Sequence, residues 1–392
     1  MPRIFLDGEP IEAQPEDTVA AALLRSDVTT FTRSIKYHRP RGPFCFAGSC
    51  GQCLMRIDGV PSLPACRIEV AEGMRCERQN GPLGVENDLF RAADFLFPEG
   101  LDHHHLLVRS RLLGRVALEV ARRLAGLGEL PEKVAPPRPG ELRMVKLAIV
   151  GAGPAGLAAA RAAAPGALLL EREPRVGGSP LLFGEAVDGD AGRAEVLVEA
   201  ECVGLYANDT SVPGNALLVV RHRERLMAIA AQRVIVATGG VSQPLPFPGV
   251  DRPGVYAARG LLALPIRVGV KLAVVGEGPE SLRCAEALSR RGYEITMVPG
   301  IPRRALGNPV KAVDTAAGER IRCDAVAIAL PPAPLHELAT SVGAQARFDG
   351  AGFAVETDGD GRTAVPWLFA VGTVARKDAA RSGEAAGVAA CR

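Results

Sequence analysis

Four cysteines stand close together in the segment FCFAGSCGQCLMRIDGVPSLPAC, at positions Cys45, Cys50, Cys53 and Cys66. The spacing is C-x4-C-x2-C, followed after twelve residues by the fourth cysteine. Structural zinc sites favour two C-x2-C pairs, and only one pair is present here. The observed spacing is that of plant-type [2Fe–2S] proteins, in which one loop supplies three thiolates and a separate element supplies the fourth. We therefore predict a [2Fe–2S] cluster, and a zinc site or inert thiols are the alternatives.

The residues around these cysteines predict the fold that carries them. Gly48 and Gly51 allow the loop to bend tightly with its N–H groups turned toward the sulfurs. The segment RIFLDGEPIEAQPEDTVAAALL predicts a strand, a turn at Asp7–Gly8, a second strand and a helix that Asp17–Thr18 opens. More short strands follow the cysteine loop. This order is typical of a ferredoxin-like β-grasp domain.

A glycine motif in MVKLAIVGAGPAGLAAARAAA predicts a dinucleotide site. A hydrophobic strand precedes Gly151, Gly153 and Gly156, and an Ala-rich helix follows them. Such glycines permit the tight turn, the close approach of a pyrophosphate, and close packing of the helix on the strand. Glu171 ends the next strand, twenty residues after Gly151, where a carboxylate binds ribose hydroxyls.

Two later turns favour FAD over NAD at this site. The strand RVIVATGG ends in a Thr-Gly-Gly turn, and a strand near the C-terminus ends at Gly372–Thr373 before a helix of small residues. The predicted cofactor-binding residues are Gly151, Gly153, Pro154, Ala155, Gly156, Glu171, Arg172, Gly178, Val203, Ala237, Thr238, Gly239, Gly372 and Thr373.

A second nucleotide motif lies in KLAVVGEGPESLRCAEALSRRGYEITMV, with Gly276, Gly278 and Ser281 as its small residues. The following strand ends TMVPG, without an acid for NAD or an arginine for the 2′-phosphate of NADP. We therefore expect the domain, with little support for bound NAD(P). Because no C-x-x-C lies between Gly240 and this motif, a dithiol–disulfide reductase is not expected.

A basic stretch, TRSIKYHRPRGPF, precedes the cysteine loop and contains Lys36, His38, Arg39 and Arg41. It is interpreted either as a solvated loop or as a contact for a cofactor phosphate or a partner subunit. Farther along, consecutive histidines at 103–105 point in different directions on any regular element, so a metal site there is not expected.

Composition excludes several classes of protein. Lys and Arg number 46 against 44 Asp and Glu, which gives no reason to expect a nucleic-acid partner. No apolar run approaches the roughly 20 residues that span a bilayer, and the first residues lack a secretory signal pattern. We therefore expect a cytoplasmic location without a membrane span, and five scattered cysteines that serve as small buried hydrophobic residues.

Two resemblances follow from these segments. RSIKYHRPRG, FLFPEGL…RLAGLGELPEK and GAGPAGLAAA resemble the alpha subunit of heterotetrameric sarcosine oxidase. The cysteine segment resembles the small [2Fe–2S] proteins of hydrogen cyanide synthase, opine oxidase and hydroxyproline dehydrogenase. Together they cover nearly the whole chain.

The resemblance implies a hetero-oligomer. A beta subunit, similar to D-amino-acid dehydrogenase and itself a flavoprotein, would oxidise the amine, and a second flavin, often FMN, would lie at the subunit interface. The final turn of the two-dinucleotide-domain flavoprotein fold, which these later turns resemble, usually has Asp where this chain has Thr373. Sarcosine oxidase alpha subunits continue into a folate-linked domain beyond the length of this chain, so tetrahydrofolate chemistry is not expected.

These observations predict an α/β chain in which a ferredoxin-like β-grasp domain precedes a two-dinucleotide-binding-domain flavoprotein fold. The expected division is a [2Fe–2S] domain at 1–80, a linker at 81–144, an FAD domain at 145–250 and 345–392, and an NAD(P)-like Rossmann domain at 251–344. The expected function is electron transfer within a heteromeric amine or amino-acid dehydrogenase or oxidase, acting on CH–NH or CH–NH2 donors. An NAD(P)H-dependent ferredoxin-type reductase and a structural scaffold that carries the cluster are the alternatives. No residue of the chain is predicted to perform the substrate chemistry.

Overall fold

The computed structural model describes residues 1–34, 39–79, 140–223 and 225–391. The elements of the N-terminal region are β1 (Arg3–Leu6), β2 (Glu9–Glu12), α1 (Val19–Arg25), β3 (Thr32–Arg33), β4 (Pro40–Arg41), β5 (Leu54–Ile57), β6 (Val60–Pro64) and β7 (Arg75–Glu77). The next region contains β8 (Glu141–Val150), α2 (Pro154–Ala162), β9 (Ala167–Leu170), a 3₁₀ turn at Ser179–Phe183, β10 (Glu195–Leu197), β11 (Ala200–Ala207), β12 (Ala216–His222), β13 (Arg225–Val236) and β14 (Gly240–Val241).

The third region contains β15 (Val255–Ala257), α3 (Ala258–Ala263), β16 (Lys271–Val275), α4 (Pro279–Arg290), β17 (Glu294–Val298), β18 (Arg304–Gly307), β19 (Val310–Asp314), β20 (Arg320–Arg322) and β21 (Ala325–Ile328). The last region contains β22 (Ala333–Pro334), α5 (Glu337–Thr340), β23 (Ala346–Phe348), β24 (Phe353–Val355), β25 (Leu368–Ala370), a 3₁₀ turn at Gly372–Ala375 and α6 (Ala379–Ala389).

The N-terminal region forms the predicted β-grasp sheet, with strand order β2-β1-β7-β5-β6. Asp7 and Gly8 have φ angles of 49° and 95°, which the tight hairpin between β1 and β2 requires. Thr18 caps α1, because its hydroxyl accepts a hydrogen bond from the N–H of Ala21. The predicted turn and the predicted helix start are both confirmed.

The first dinucleotide fold is built on a sheet of order β10-β9-β8-β13-β12-β11, and β25 pairs with β13. Strands β8, β9, β10 and β25 all run parallel to their neighbours in this sheet, whereas β11 and β12 form an antiparallel meander with β13. Alternate residues of β8 enter the hydrophobic cores on the two faces of the sheet, Ala148 and Val150 on one, and Leu147 and Ile149 on the other.

The second dinucleotide fold is smaller. Its parallel sheet has the order β15-β21-β16-β17, and an antiparallel sheet of β18, β19 and β20 accompanies it. The predicted strand, glycine turn, helix and strand correspond to β16, α4 and β17.

The chain divides into two compact units that alternate along the sequence. Unit 1 comprises Met1–Ala135 and Pro244–Leu330, and unit 2 comprises Pro136–Gln243 and Pro331–Arg392. The β-grasp region and the second dinucleotide fold therefore share unit 1, and the first dinucleotide fold makes up unit 2. The residue boundaries given above for the four regions stay a prediction. Within the described residues, no helix combines the length and the apolar character needed to cross a membrane.

Candidate functional site

The three cysteines of the loop are held in a strongly bent backbone. Phe46, Gly48 and Gly51 have φ angles of 51°, 73° and 65°, in the left-handed region. These bends turn the loop around its own sulfurs, and the N–H of Ala47 donates to the Cys45 Sγ at 3.4 Å. Since a left-handed conformation favours glycine, Gly48 and Gly51 are needed by the backbone itself, as the sequence predicts.

The loop brings its thiols to the fourth cysteine. Cys45, Cys53 and Cys66 are buried, and Cys50 is half-buried. The thiol of Cys50 interacts with that of Cys45, and the thiol of Cys53 with that of Cys66. Hydrogen bonds from Cys50 and then Cys66 lower the pKa of Cys45, whereas the bond that Cys50 makes to Cys45 raises the pKa of Cys50. The structure thus brings all four predicted ligands together.

This donor set fits a binuclear cluster. Over the described ranges, no group of three or more His, Cys, Asp or Glu side chains is arranged around a single metal ion. The thiols of Cys45 and Cys50 interact, as do those of Cys53 and Cys66 and those of Cys45 and Cys66. This connected set of four could supply two irons with two protein thiolates each. Only the thiolate form ligates metal, so each of the four thiols would lose its proton when the cluster binds. The cluster assignment of the four residues stays a prediction.

The other five cysteines differ in burial more than the sequence predicts. Cys76, Cys284 and Cys323 are buried, which confirms the prediction for these three. Cys202 is half-buried on β11, and Cys391 is exposed, so the prediction is wrong for Cys391. Cys391 follows the end of α6, where its Sγ accepts from the N–H of Ala164.

Four of the predicted dinucleotide residues of unit 2 lie at the carboxyl ends of parallel strands of its sheet. Strands β8, β9, β13 and β25 all run in the same direction, so their carboxyl ends lie along the same side of the sheet. Gly151, Glu171, Ala237 and, after Val371, Gly372 follow the last residues of these four strands. Ligands of open parallel sheets bind at the carboxyl ends of the strands, so this side of the sheet is the candidate dinucleotide site.

The glycines of the first motif are enforced by close backbone contacts. A Cβ on Gly156 would lie 1.8 Å from the Gly151 carbonyl oxygen, and one on Gly151 would lie 2.5 Å from the Ala237 oxygen. A Cβ on Gly178 would meet the Cα of Gly153 at 2.8 Å. Gly153 also caps α2, with Pro154 at its first position and Ala155 buried behind it. The resulting small-residue turn leaves the N-terminus of α2 accessible to a pyrophosphate.

Glu171 is 7% exposed, and its carboxylate is fixed by two backbone donors. Oε2 accepts from the N–H of Ala152 at 2.8 Å, and Oε1 accepts from the N–H of Glu173 at 2.9 Å. Each carboxylate oxygen can accept a further hydrogen bond. The side chain is therefore preorganised beside the glycine turn, as a group that binds ribose hydroxyls needs to be. Its neighbour Arg172 pairs instead with Glu173 at 3.3 Å.

Val203 lies at an irregularity of the meander. Cys202 pairs with Val220 and Gly204 pairs with Val219, so Val203 is an extra residue between two paired positions. The side chain is 53% exposed. A β-bulge leaves its extra residue out of the ladder, and a role for Val203 in binding the cofactor stays a prediction.

The remaining turns have mixed roles. Ala237 continues the parallel sheet, since its N–H donates to the Val150 oxygen at 2.8 Å. The hydroxyl of Thr238 donates to the Leu335 oxygen at 2.7 Å, which indicates a structural role for that side chain. Gly239 has a φ of 71° and open space around its Cβ position, so it permits close approach of a ligand.

The last predicted turn packs directly on α2. Gly372 has a φ of 70°, and a Cβ there would lie 2.8 Å from that of Ala155. The N–H of Gly372 donates to the Ser382 hydroxyl at 3.1 Å, which anchors the turn to α6. Thr373 is half-buried beside it and offers a neutral hydroxyl where a carboxylate is usual.

Two features of this site escape prediction from the sequence. Gly383 and Gly387 of α6 pack on α2, and a Cβ on either would lie 2.2 or 2.4 Å from a carbonyl oxygen of Ala155 or Ala159. The G-x3-G spacing within the C-terminal helix is the signal that could have indicated this packing. Similarly, Ala152 contributes a backbone donor to Glu171, and no sequence pattern marks it.

The second motif has the predicted shape, but the hydroxyl of its Ser281 is hydrogen-bonded within the fold. Gly276 has a φ of 140°, and its Cβ position lies 2.5 Å from the Ala329 oxygen. Gly278 has a φ of 84° and open space around it. Ser281 is fully buried, and its hydroxyl donates to the Ala329 oxygen at 2.7 Å. The Ser281 hydroxyl therefore links α4 to the residue after β21 and has no hydrogen left to donate to a ligand.

The basic stretch is only partly visible. Lys36 and His38 lie outside the described residues. Arg39 is exposed and approaches the Asp251 carboxylate at 3.8 Å, whereas Arg41 is half-buried on β4. Both are in unit 1 with the cysteine loop, and their proposed contact with a phosphate or a partner stays a prediction.

Comparison with protein families matches two parts of the chain. Residues 2–81 match the model of a 2Fe-2S iron-sulfur cluster binding domain. Residues 145–310 match the model of the pyridine nucleotide-disulphide oxidoreductases. The predicted fold class, a ferredoxin-like domain followed by a Rossmann-type oxidoreductase fold, is thereby confirmed.

Among solved structures, L-proline dehydrogenase from P.horikoshii matches 99% of this chain and 71% of its own, with a TM-score of 0.73 and 22% identity. That likeness shows the fold. The sarcosine oxidase subunit alpha of Rhizobium meliloti is 31% identical over 299 residues, 67% of this chain and 30% of its own. Hydrogen cyanide synthase subunit HcnA of Pseudomonas aeruginosa is 35% identical over 83 residues, 21% of this chain and 79% of its own.

The chain spans about a third of the length of the sarcosine oxidase alpha subunits that it matches. The chain itself combines a [2Fe–2S] domain with an FAD-type oxidoreductase domain. Its similarity in sequence to the sarcosine oxidase alpha subunit agrees with the resemblance described above. The chain is thus similar to part of the sarcosine oxidase alpha subunits, and its first 81 residues include a match to a [2Fe–2S] cluster binding domain.

Proposed function

We propose that this chain is the electron-transfer subunit of a heteromeric FAD-dependent dehydrogenase or oxidase for amines or amino acids. The observation that carries the proposal is the pairing of four clustered thiols with a preorganised dinucleotide site in one chain. Relatives named as subunits of sarcosine oxidase and hydrogen cyanide synthase support a hetero-oligomer and an amine-type donor.

The residues of the chain have separate tasks in this proposal. Cys45, Cys50, Cys53 and Cys66 would ligate the cluster. The turn at Gly151–Gly156 and Glu171 would bind the pyrophosphate and the adenosine ribose of FAD, while Gly372 and Thr373 would lie toward the flavin. When bound, these groups supply one-electron and two-electron chemistry respectively. A partner flavoprotein, similar to D-amino-acid dehydrogenase, would oxidise the C–N bond, and FMN would belong at its interface with this chain.

The NAD(P)H-dependent reductase is a weaker candidate on structural grounds. Its hydride donor would need the second dinucleotide fold. The turn there carries Glu277, and the first turn of α4 carries Glu280. The carboxylate of Glu277 disfavours an anionic pyrophosphate at this helix N-terminus, and that of Glu280 is already paired with Arg259.

The test is an anaerobic absorption spectrum of the purified chain before and after addition of NADH, with analysis of iron, sulfide and the nucleotide released on denaturation. We expect about two irons per chain, FAD as the released nucleotide, and bands that NADH leaves unchanged. Bleaching by NADH alone would establish the reductase instead. Cluster bands with no reducible flavin would establish the scaffold, and a released nucleotide other than FAD would refute the flavin assignment of the first site.

A further inference from the structure

The cysteine loop packs on the second dinucleotide fold within unit 1. The carbonyl oxygen of Phe44 accepts from the N–H of Ala257, the last residue of β15, at 3.0 Å. The rings of Phe46 and Tyr256 have centroids 5.8 Å apart. Phe44 and Cys45 belong to one hydrophobic core with residues of β15, β16, β17 and β21. The backbone that presents the first thiol is therefore part of the core of the second dinucleotide fold.

Helix α3 approaches this loop as closely as a backbone permits. A Cβ on Gly260 would lie 2.8 Å from the Cys45 oxygen and 2.9 Å from Cδ2 of Phe46. Gly260 lies in the helix without a left-handed φ. Glycine lowers the stability of a helix interior by about 1 kcal/mol relative to alanine, so its presence here is explained by the contact and not by the backbone conformation.

Helix α3 is itself held at one end by α4 and at the other by Arg291, the residue that follows α4. The guanidinium of Arg259 donates to the Glu280 carboxylate at 2.6 Å, and the two side chains are only 16% and 13% exposed. At the other end, Arg291 donates to the oxygens of Leu261 and Leu262 at 2.8 Å and also to that of Leu264. These carbonyls would otherwise lack partners at the helix C-terminus. The helix that contacts the cysteine loop thus has a fixed position.

Side chains at the start of α4, where a dinucleotide would bind, already have partners within unit 1. Glu280 lies in the first turn of α4, where the pyrophosphate of a Rossmann ligand accepts N–H groups, and its carboxylate already neutralises Arg259. The hydroxyl of Ser281 is committed to Ala329. Glu277 adds a second negative charge to the turn. Removing Glu280 from Arg259 to admit a ligand would leave a half-buried guanidinium without its carboxylate.

We propose that the second dinucleotide fold positions the cluster-binding loop and does not bind a dinucleotide, with Gly260 and Tyr256 as positioning residues for the cluster. This inference rests on the proposed [2Fe–2S] cluster at the four cysteines. It assigns to the fold a role in setting the geometry and the environment of the cluster, both of which influence its reduction potential.

The test compares the full chain with Gly260→Ala, and Gly359→Ala serves as the matched control because its Cβ position has no neighbour within 4 Å. Measurements are iron and sulfide per chain, the EPR spectrum and reduction potential of the dithionite-reduced cluster, thermal unfolding, and the nucleotide content of the first site. We expect Gly260→Ala to lose at least half of its cluster or to shift the EPR spectrum and the potential. The nucleotide content should stay that of the wild type, and Gly359→Ala should change nothing.

A second pair keeps the test decisive if Gly260→Ala fails to fold. Tyr256→Phe keeps the ring beside Phe46, and Tyr256→Ala removes it. We expect the cluster of Tyr256→Phe to match the wild type and that of Tyr256→Ala to show the same defects as Gly260→Ala. Wild-type EPR, potential and iron content in Tyr256→Ala, and in Gly260→Ala where that variant folds, would overturn the positioning role.

The dinucleotide part is tested by titrating NADH into the wild-type chain in the presence of excess FAD. No saturable binding is expected. Saturable binding under these conditions would overturn this part of the proposal. A wild-type chain that binds no iron would refute the proposed function together with this inference, whereas a normal wild-type cluster that is unaffected in the variants would refute the inference alone.

Discussion

Replacing Glu171 with glutamine tests whether the carboxylate of unit 2 binds a ribose. The side chain is buried, and its two oxygens accept from Ala152 and Glu173 at 2.8 and 2.9 Å. A carboxylate has about four acceptor positions, so roughly two remain for ribose hydroxyls. Glutamine retains one oxygen and turns an NH2 group toward one of the two backbone donors.

The size of the effect follows from these contacts. A buried N–H group that loses its acceptor costs about 1–3 kcal/mol, and this loss should lower the free energy of unfolding of the FAD-free chain. A hydrogen bond to a charged acceptor contributes about 1.5–3 kcal/mol. Loss of one such bond to a ribose hydroxyl should therefore raise the Kd for FAD by about 10- to 150-fold.

The assay is a titration of the FAD-free chain with FAD, followed by flavin fluorescence, together with denaturant unfolding of the same protein. Glu173→Gln is the matched control, since it makes the same change two residues along on a partly exposed side chain; we expect less than about 1 kcal/mol there. If Glu171→Gln lowers the free energy of unfolding but leaves the Kd unchanged, the carboxylate only fastens the turn and the ribose contact is refuted.

Three further predictions follow. Cys50→Ser should abolish the cluster absorption bands, whereas Cys76→Ser, a buried cysteine of the same β-grasp region, should retain them; iron analysis and visible spectra of the two variants compare the sites. Gly387→Ala places a Cβ 2.4 Å from the Ala159 oxygen, so α2 and α6 must separate, and denaturant unfolding should show a loss of about 1–3 kcal/mol; an unchanged midpoint would show that the helices adjust freely. Asp324 accepts from the N–H groups of Lys271 and Val270, which lower its pKa. Because the folded pKa lies below the unfolded value near 4, Asp324 stabilises the fold above that pH, and its contribution is lost as the pH falls through the folded pKa. Asp324→Asn should therefore lose more stability at pH 7 than at pH 3, and equal losses at both values would contradict the assignment.

Much of the candidate site is local in sequence, and this is why it could be predicted. The bends at Gly48 and Gly51, the turn at Gly151–Gly156 and the strand that ends at Glu171 each depend on a few neighbouring residues. Parallel strands then bring the carboxyl ends together without further information.

The features that could not be predicted depend on contacts between distant segments. Glu280 is an ordinary helix residue until α3 places Arg259 beside it. Gly260 is unremarkable in sequence, because the Cys45 carbonyl that it accommodates is more than two hundred positions away. The bulge at Val203 depends on the register of β11 against β12, which composition does not determine.

The alternation of the two units along the chain has a consequence for how the protein is made. Strand β25 pairs with β13 across more than 130 positions, and all of Pro244–Leu330 lies between them. During synthesis, every residue of unit 1 has emerged once Leu330 has left the ribosome, while unit 2 still lacks a strand of its sheet and the helix that packs on α2. A nascent chain therefore exposes the apolar side chains of an incomplete sheet until residues Pro331–Arg392 have also been translated. No single cut in the polypeptide can separate the two units intact, so a fragment that contains only the [2Fe–2S] region lacks the part of unit 1 on which its cysteine loop packs.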